Sequence, residues 1–269
     1  MLIRGALKKV LYPLLSRCVL IPKSYRIIFC FHDISEPDAT QHSALYSTRP
    51  AQFKAQIAFL RSQFEFVPLG DLMFAADRGS RLAAITFDDG FLSDKDVAMP
   101  ILQAAGIPFS IFLNQTAIER NYIKYDLFNA IDRRYESKKF LDRDDVIAMD
   151  RKGVAIGSHT QNHRALSSCD DASLEREIRG NKQFLEDLLG HPVLDLALPY
   201  GKREHYDQRA ITTALSAGHR FIYSTNPGLL SASRREPLEL PIPRISILNE
   251  DPETLRFYIN RPMFRRIEL

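Results

Sequence analysis

"AAITFDDGFLSD", residues 83–94, runs from an apolar, strand-like stretch straight into two adjacent carboxylates and a glycine. Unpaired charge at the mouth of a buried strand is expensive, so Asp88 and Asp89 need partners. Taken alone, Asp-Asp-Gly after a strand reads as a turn with a helix N-cap. Its neighbours along the chain decide whether it is more than that.

Short apolar runs alternate with helical periods on both sides of this stretch. Candidate strands lie at 26–31, 64–69, 81–87, 109–113, 153–157, 194–200, 221–225 and 242–248. Between them fall helical patterns such as PAQFKAQIAFLRSQ, KDVAMPILQAAG and ASLEREIRGNKQFLEDLLG, the last closed by a glycine suited to a C-cap. Seven or eight strands alternating with helices predict an α/β fold, a single distorted (β/α) barrel of about seven parallel strands over residues 25–250. In such barrels the chemistry sits at the carboxyl ends of strands. Asp88 and Asp89 follow RLAAITF, and the polar cluster SHTQNH follows GVAIG, so both fall at that end.

The composition is that of an ordinary globular chain, with 45% hydrophobic and 26% charged residues in 269 and a formal net charge of +3. No dense run of Lys and Arg interleaves with aromatics, so no nucleic-acid partner is expected. Cys18, Cys30 and Cys169 have no metal-ligand spacing, and their odd number argues against a disulfide scaffold. They read as ordinary thiols.

Residues 1–24 form a basic amphipathic pattern: Leu2, Ile3, Ala6, Leu7, Val10, Leu11, Leu14 and Leu15 keep helical spacing while Arg4, Lys8, Lys9 and Arg17 interrupt it. The segment is too broken by charge to span a bilayer and lacks a signal-peptide cleavage site. Two readings stand, a helix packed on the domain and a helix lying on an anionic membrane surface. The expected location is cytoplasmic, with the second reading adding peripheral contact at the inner membrane. Residues 251–269 read as a helical tail, and no repeat or linker divides the chain.

His159 and His163 are four residues apart, a spacing that on one helical turn puts both imidazoles on one face. One carboxylate plus two imidazoles is a common ligand set for a catalytic divalent metal with open positions. The other carboxylate is then available as a general base toward water. Histidines at this spacing also occur as plain surface or core residues. Two such clusters at strand ends of one fold favour the site.

With TFDDG at 86–90, SHTQNH at 158–163 and LPYG at 198–201 in this order, the sequence resembles the metal-dependent polysaccharide deacetylases with a NodB-homology domain, carbohydrate esterase family four. The resemblance implies Asp88 as catalytic base, Asp89, His159 and His163 as metal ligands, and the backbone N–H of Tyr200 as an oxyanion donor. It implies one divalent ion, zinc, with cobalt or nickel as alternatives. The implied reaction removes an N-acetyl group from an amino sugar in a polysaccharide or glycolipid. Two other readings are removal of another acyl group, such as formyl, from a lipid- or nucleotide-linked amino sugar, and a catalytically silent carbohydrate-binding relative.

The sequence departs from the family pattern twice. The family's third motif begins with an Arg two residues before the Pro, where this chain has Ala197, and no histidine follows His219 to supply the usual late general acid. Circularly permuted members, similar to the biofilm poly-N-acetylglucosamine deacetylases, carry that acid on the first strand in an aromatic-His-Asp context. FCFHDI then implies His32 as the acid, with Asp33 a turn residue. For the missing Arg the substitute is Arg244 in PIPRISI, either paired inside the barrel mouth or lying at a strand edge on the surface. His42 and His205 fall in expected loops. The chain has no Trp, leaving Tyr and Phe to stack on a sugar.

Overall fold

The computed structural model describes residues 21–23, 25–36, 47–75, 79–119, 139–231 and 240–265, with no side-chain detail beyond 260. Nine strands form its sheet: β1 (Tyr25–Phe31), β2 (Glu65–Phe66), β3 (Leu82–Asp88), β4 (Phe109–Leu113), β5 (Ala155–Ser158), β6 (Asp195–Ala197), β7 (Phe221–Tyr223), β8 (Leu230–Ser231) and β9 (Ile245–Ser246). Their order is β7-β6-β5-β4-β3-β1-β8, with β2 beside β3 and β9 beside β1. Every pairing is parallel except that of β1 with β8.

The sheet curls until its ends meet. Ile242 donates to Ile222 O at 2.7 Å and accepts from Ser224 N at 2.8 Å, while Ile247 N reaches Cys30 O at 2.8 Å. One extended segment therefore joins β7 to β1 and closes the ring. It was expected as a continuous strand over 242–248. Pro243 has no N–H to give to a ladder, and strand pairing is confined to one bridge at Ile242 and the pair Ile245–Ser246.

Period-two alternation sorts the strand residues between the two faces. Ile27, Phe29 and Phe31 of β1 join Ala83, Ile85 and Phe87 of β3 in the outer core. Against them packs the helix Pro50–Gln63, whose buried Phe53, Gln56, Ile57 and Leu60 follow one helical face and whose Pro50 opens it without losing a hydrogen bond. Ile28, Leu82, Ala84, Phe112, Ala197 and Tyr223 belong to an inner core shared with Leu69, Leu72 and Met73. The short helix Leu69–Phe74 thus plugs the amino-terminal pole of the barrel. Beneath it Arg26 donates to Leu72 O at 2.9 Å, Met73 O at 3.2 Å and Ala75 O.

The helix Pro252–Arg265 docks on the barrel, with Leu255 and Ile259 in the outer core and Arg256 over the Phe59 ring at 5.1 Å. Among the described residues no helix is long and apolar enough to cross a membrane. The amphipathic pattern of residues 1–20, with Cys18 in it, lies outside the described residues.

Candidate active site

Asp88 is the last residue of β3, and the chain leaves it through left-handed Asp89 (φ 77°) and Gly90 (φ 73°). A Cβ on Gly90 would sit 2.4 Å from Leu113 Cδ2, so this turn requires glycine. The turn aims two consecutive carboxylates apart. Asp88 points into the barrel and Asp89 toward β5.

Within the barrel, Arg244 meets Asp88 in a two-pronged ion pair, Nη1 to Oδ1 at 2.8 Å and Nη2 to Oδ2 at 2.7 Å. The guanidinium is fully buried and also donates to Ser224 O and Thr86 Oγ1, each at 3.2 Å. It stacks over Phe112 and Tyr223 at 5.2 and 6.0 Å. Of the two readings of Arg244, the inward one is therefore what the fold adopts. Burial alone would push the Asp88 carboxyl up, but the Arg244 charge and hydrogen bonds, with His159 and His32, hold it at about 2. Cys30 Sγ lies 3.4 Å from Asp88 Oδ2.

Asp89 Oδ1 faces His159 Nε2 at 3.5 Å and His163 Nε2 at 3.4 Å. The histidines were expected on one helical turn. Residues 159–163 instead form an irregular loop after β5, with left-handed Thr160 (φ 66°) and His163 (φ 53°) folding the two rings to 4.8 Å between centroids. His159 Nδ1 lies 2.8 Å from Ala197 O, a contact that fixes the ring with Nε2 toward Asp89. Burial pushes the Asp89 carboxyl up, yet His163 and His159 outweigh it and keep it below the usual carboxylate range. Burial pushes His163 down to about 4 against the pull of Asp89. An ionised Asp89 facing a neutral His163 is a donor set suited to a divalent cation, and the three ligand atoms lie within 4.8 Å of one another.

His32 follows β1, and its ligand nitrogen falls within 4.8 Å of both Cys30 Sγ and an Asp88 oxygen. Asp33 beside it turns away to accept from Ser47 and Ser93, each at 2.8 Å, and from Ser35, as its turn role requires. Tyr200 is left-handed (φ 60°) and its ring lies between His163 at 4.7 Å and His205 at 4.8 Å. Gly201 after it is forced by contact: an added Cβ would meet Thr225 N at 2.5 Å. Asp89, Thr160, His163 and Tyr200 are the non-glycine residues with positive φ among those described, and all four line this pole. Such strain gathers where a fold holds side chains in place for a ligand.

Three supporting residues were not foreseen. Glu177 looks like a solvent-facing helix charge in LEREIRG, but a π-helical turn, Arg176–Gly180, carries it inward to accept from Asn162 N and Nδ2, both at 2.8 Å. Asn162 adjoins His163. Asp94, on a second π-helical turn (Asp94–Ala98), is fully buried behind the Asp88–Asp89 turn. No local pattern in the sequence marks either turn.

The comparisons point one way. Residues 75–222, more than half of the chain, match the family model described as polysaccharide deacetylase. Among curated proteins, Bacillus subtilis YxkH is 23% identical over 162 residues, covering 60% of this chain and 51% of its own length. A peptidoglycan-N-acetylglucosamine deacetylase of Bacillus cereus is 27% identical over 163 residues, covering 61% and 64%. The chain thus matches between half and two thirds of these relatives. The fold is similar to that of the Streptococcus pyogenes deacetylase PplD, with TM-score 0.70 at 21% identity over 89% of this chain and 99% of that one. IcaB from Ammonifex degensii superposes with TM-score 0.69 at 18% identity, over 88% and 97%.

Proposed function

Because the chain belongs to the polysaccharide deacetylase family, we propose that it hydrolyses the N-acetyl group of an amino sugar in a polysaccharide or glycolipid, using one divalent cation, zinc, held by Asp89, His159 and His163. The observation that carries this reading is the pairing of Asp88 with Arg244 beside that converging triad. It supplies an ionised, immobile carboxylate next to a metal-ready donor set.

When bound, the cation supplies Lewis acidity, bringing the pKa of water down to about 7 and polarising the amide carbonyl. Asp88, ionised and fixed by two hydrogen bonds, accepts the proton of the attacking water. The Tyr200 N–H donates to the oxygen that becomes negative as the acyl carbon turns tetrahedral. His32, with a ring nitrogen within 4.8 Å of an Asp88 oxygen, gives a proton to the amine nitrogen as the C–N bond breaks. Acetate and a free amine leave. The rings of Tyr200 and His205 form a wall beside the triad on which a sugar face can rest, the role a Trp would otherwise take. The curated Bacillus cereus relative, a peptidoglycan-N-acetylglucosamine deacetylase, supports an N-acetylated glycan as substrate.

Acetate release from N-acetylated oligosaccharides and glycolipids, with and without chelator, tests the proposal. Chelation should abolish release and zinc restore it. Asp88→Asn and His32→Ala should each lower turnover by roughly 10² or more with zinc still bound. Release that survives chelation, or stoichiometric zinc in a His159→Ala, His163→Ala variant that also carries Cys30→Ser, would overturn it.

A further inference from the structure

We propose that Cys30, His32 and Asp88 form a second metal site, inhibitory and selective for thiophilic divalent cations such as Cd2+ or excess Zn2+. The inhibition rests on the hydrolase reading; the binding does not. One sulfur, one imidazole nitrogen and one carboxylate oxygen lie within 4.8 Å of one another at the carboxyl pole. The sulfur–oxygen separation suits a tetrahedral ion. With a metal–sulfur bond of about 2.3 Å and a metal–oxygen bond of about 2.0 Å, the 3.4 Å from Cys30 Sγ to Asp88 Oδ2 subtends an angle at the metal of about 104°.

The donors can be released to such an ion. Each oxygen of a carboxylate has two lone pairs, and Arg244 uses one on each. The cation replaces the thiol proton: the S–H bond breaks, the proton passes to water, and the sulfur pair forms the bond to the metal. His32 contributes the lone pair of a ring nitrogen, and water completes the set. Arg244 brings a positive charge against Asp88, so an ion that gains little from sulfur does not compete here. Mg2+ and Ca2+, which favour oxygen donors, are therefore excluded. Occupancy engages the base and the acid of the proposed reaction together.

The test uses the full chain with Cys18→Ser and Cys169→Ser, leaving Cys30 as its single thiol, beside the same chain carrying Cys30→Ser or Cys30→Ala as well. Cd2+ is titrated into chelator-stripped protein and followed by equilibrium dialysis and by the ultraviolet sulfur-to-cadmium charge-transfer band. The single-thiol chain should bind two ions and show the band; the thiol-free chains should bind one and lack it. A His159→Ala, His163→Ala variant should keep the band while losing the other ion, which separates this site from the catalytic one. In the zinc-loaded enzyme, excess Cd2+ or Zn2+ but not Mg2+ should stop acetate release, with the inhibition midpoint raised about ten-fold or more in the thiol-free chains. Absence of the band in the single-thiol chain, or equal midpoints with and without Cys30, would overturn the proposal. Should no substrate be turned over, the hydrolase reading fails and the dialysis and band still decide the site.

Discussion

Both oxygens of Asp88 accept terminal nitrogens of Arg244 while each side chain is shielded from water, and this makes loss of one partner worse than loss of both. Arg244→Gln leaves a buried carboxylate without its counter-charge and should cost about 3–5 kcal/mol of stability. Adding Asp88→Asn removes the stranded charge and should recover most of that. Denaturant midpoints of the two single variants and the double variant check it, and simple additivity would refute the coupling. Asp94 is the opposite case, a carboxyl that burial pushes well up, with Asp33, Asp89 and Asp88 adding to the push. The folded chain then holds a proton that the unfolded chain releases above the ordinary carboxylate range. Asp94's own contribution to stability is therefore most favourable below that range and falls as pH rises toward the elevated value. Asp94→Asn should remove the penalty, raising stability of the chelator-treated protein by about 1–3 kcal/mol at pH 8 and by much less near pH 4. Thermal unfolding at both pH values measures it; an equal gain at each would exclude titration as the cause.

A π-helical turn behind the histidine loop does what the loop cannot do alone. Asn162 is gripped through its backbone and side chain by Glu177, its Oδ1 accepts from Thr116 Oγ1 at 2.6 Å, and Gln161 N donates to Glu177 O at 2.9 Å. The clamp holds left-handed His163 in place. Glu177→Ala and Asn162→Ala should each weaken zinc binding by about 10–100-fold, as loss of outer-shell support does, and the double variant should be little worse than either. Zinc titration against a competing chelator reads this, and multiplying effects would mean that the two residues act separately. The elements around the site were legible to different degrees. The helix at 50–63 matches its period because burial of one face fixed its residue types, and the strands at 26–31 and 109–113 were legible as continuous apolar runs because both their faces are buried. The His159–His163 turn was misread as helical because a spacing of four is the same in a helix and in a left-handed loop; only φ separates them. Arg244 was legible as a cation out of place on a strand, but its partner lies 156 residues away and no local pattern names it. Glu177 was hidden because a π turn rotates side chains off the 3.6-residue period.

Across the molecule, the barrel divides its labour between poles: the Asp89–His159–His163 cluster and the proposed acid and base at the carboxyl ends of β1, β3 and β5, and closure by the plug helix at the amino ends. Arg26 is the test of that division. It stands at the start of β1, opposite Leu82 at the start of β3, and its guanidinium satisfies carbonyls of Leu72, Met73 and Ala75 beneath the plug. Those carbonyls end a short helix and are buried, so without Arg26 they lose partners that water cannot easily replace. Arg26→Leu fills the same apolar surroundings but donates nothing. It should lower the unfolding free energy by about 2–5 kcal/mol, from several carbonyl partners lost at once. The plug is continuous with the inner core through Leu69, Leu72 and Met73, so the loss should appear as a cooperative shift of the whole transition rather than local fraying. The triad lies at the other pole, held by its own loops and by Ala197 O. Zinc affinity of Arg26→Leu should therefore stay within about two-fold of the parent at temperatures where it is folded. Denaturant unfolding and zinc titration on the same preparation decide the matter: a large stability loss with unchanged affinity supports the separation, and a parallel loss of affinity would show the two poles to be coupled through the strands.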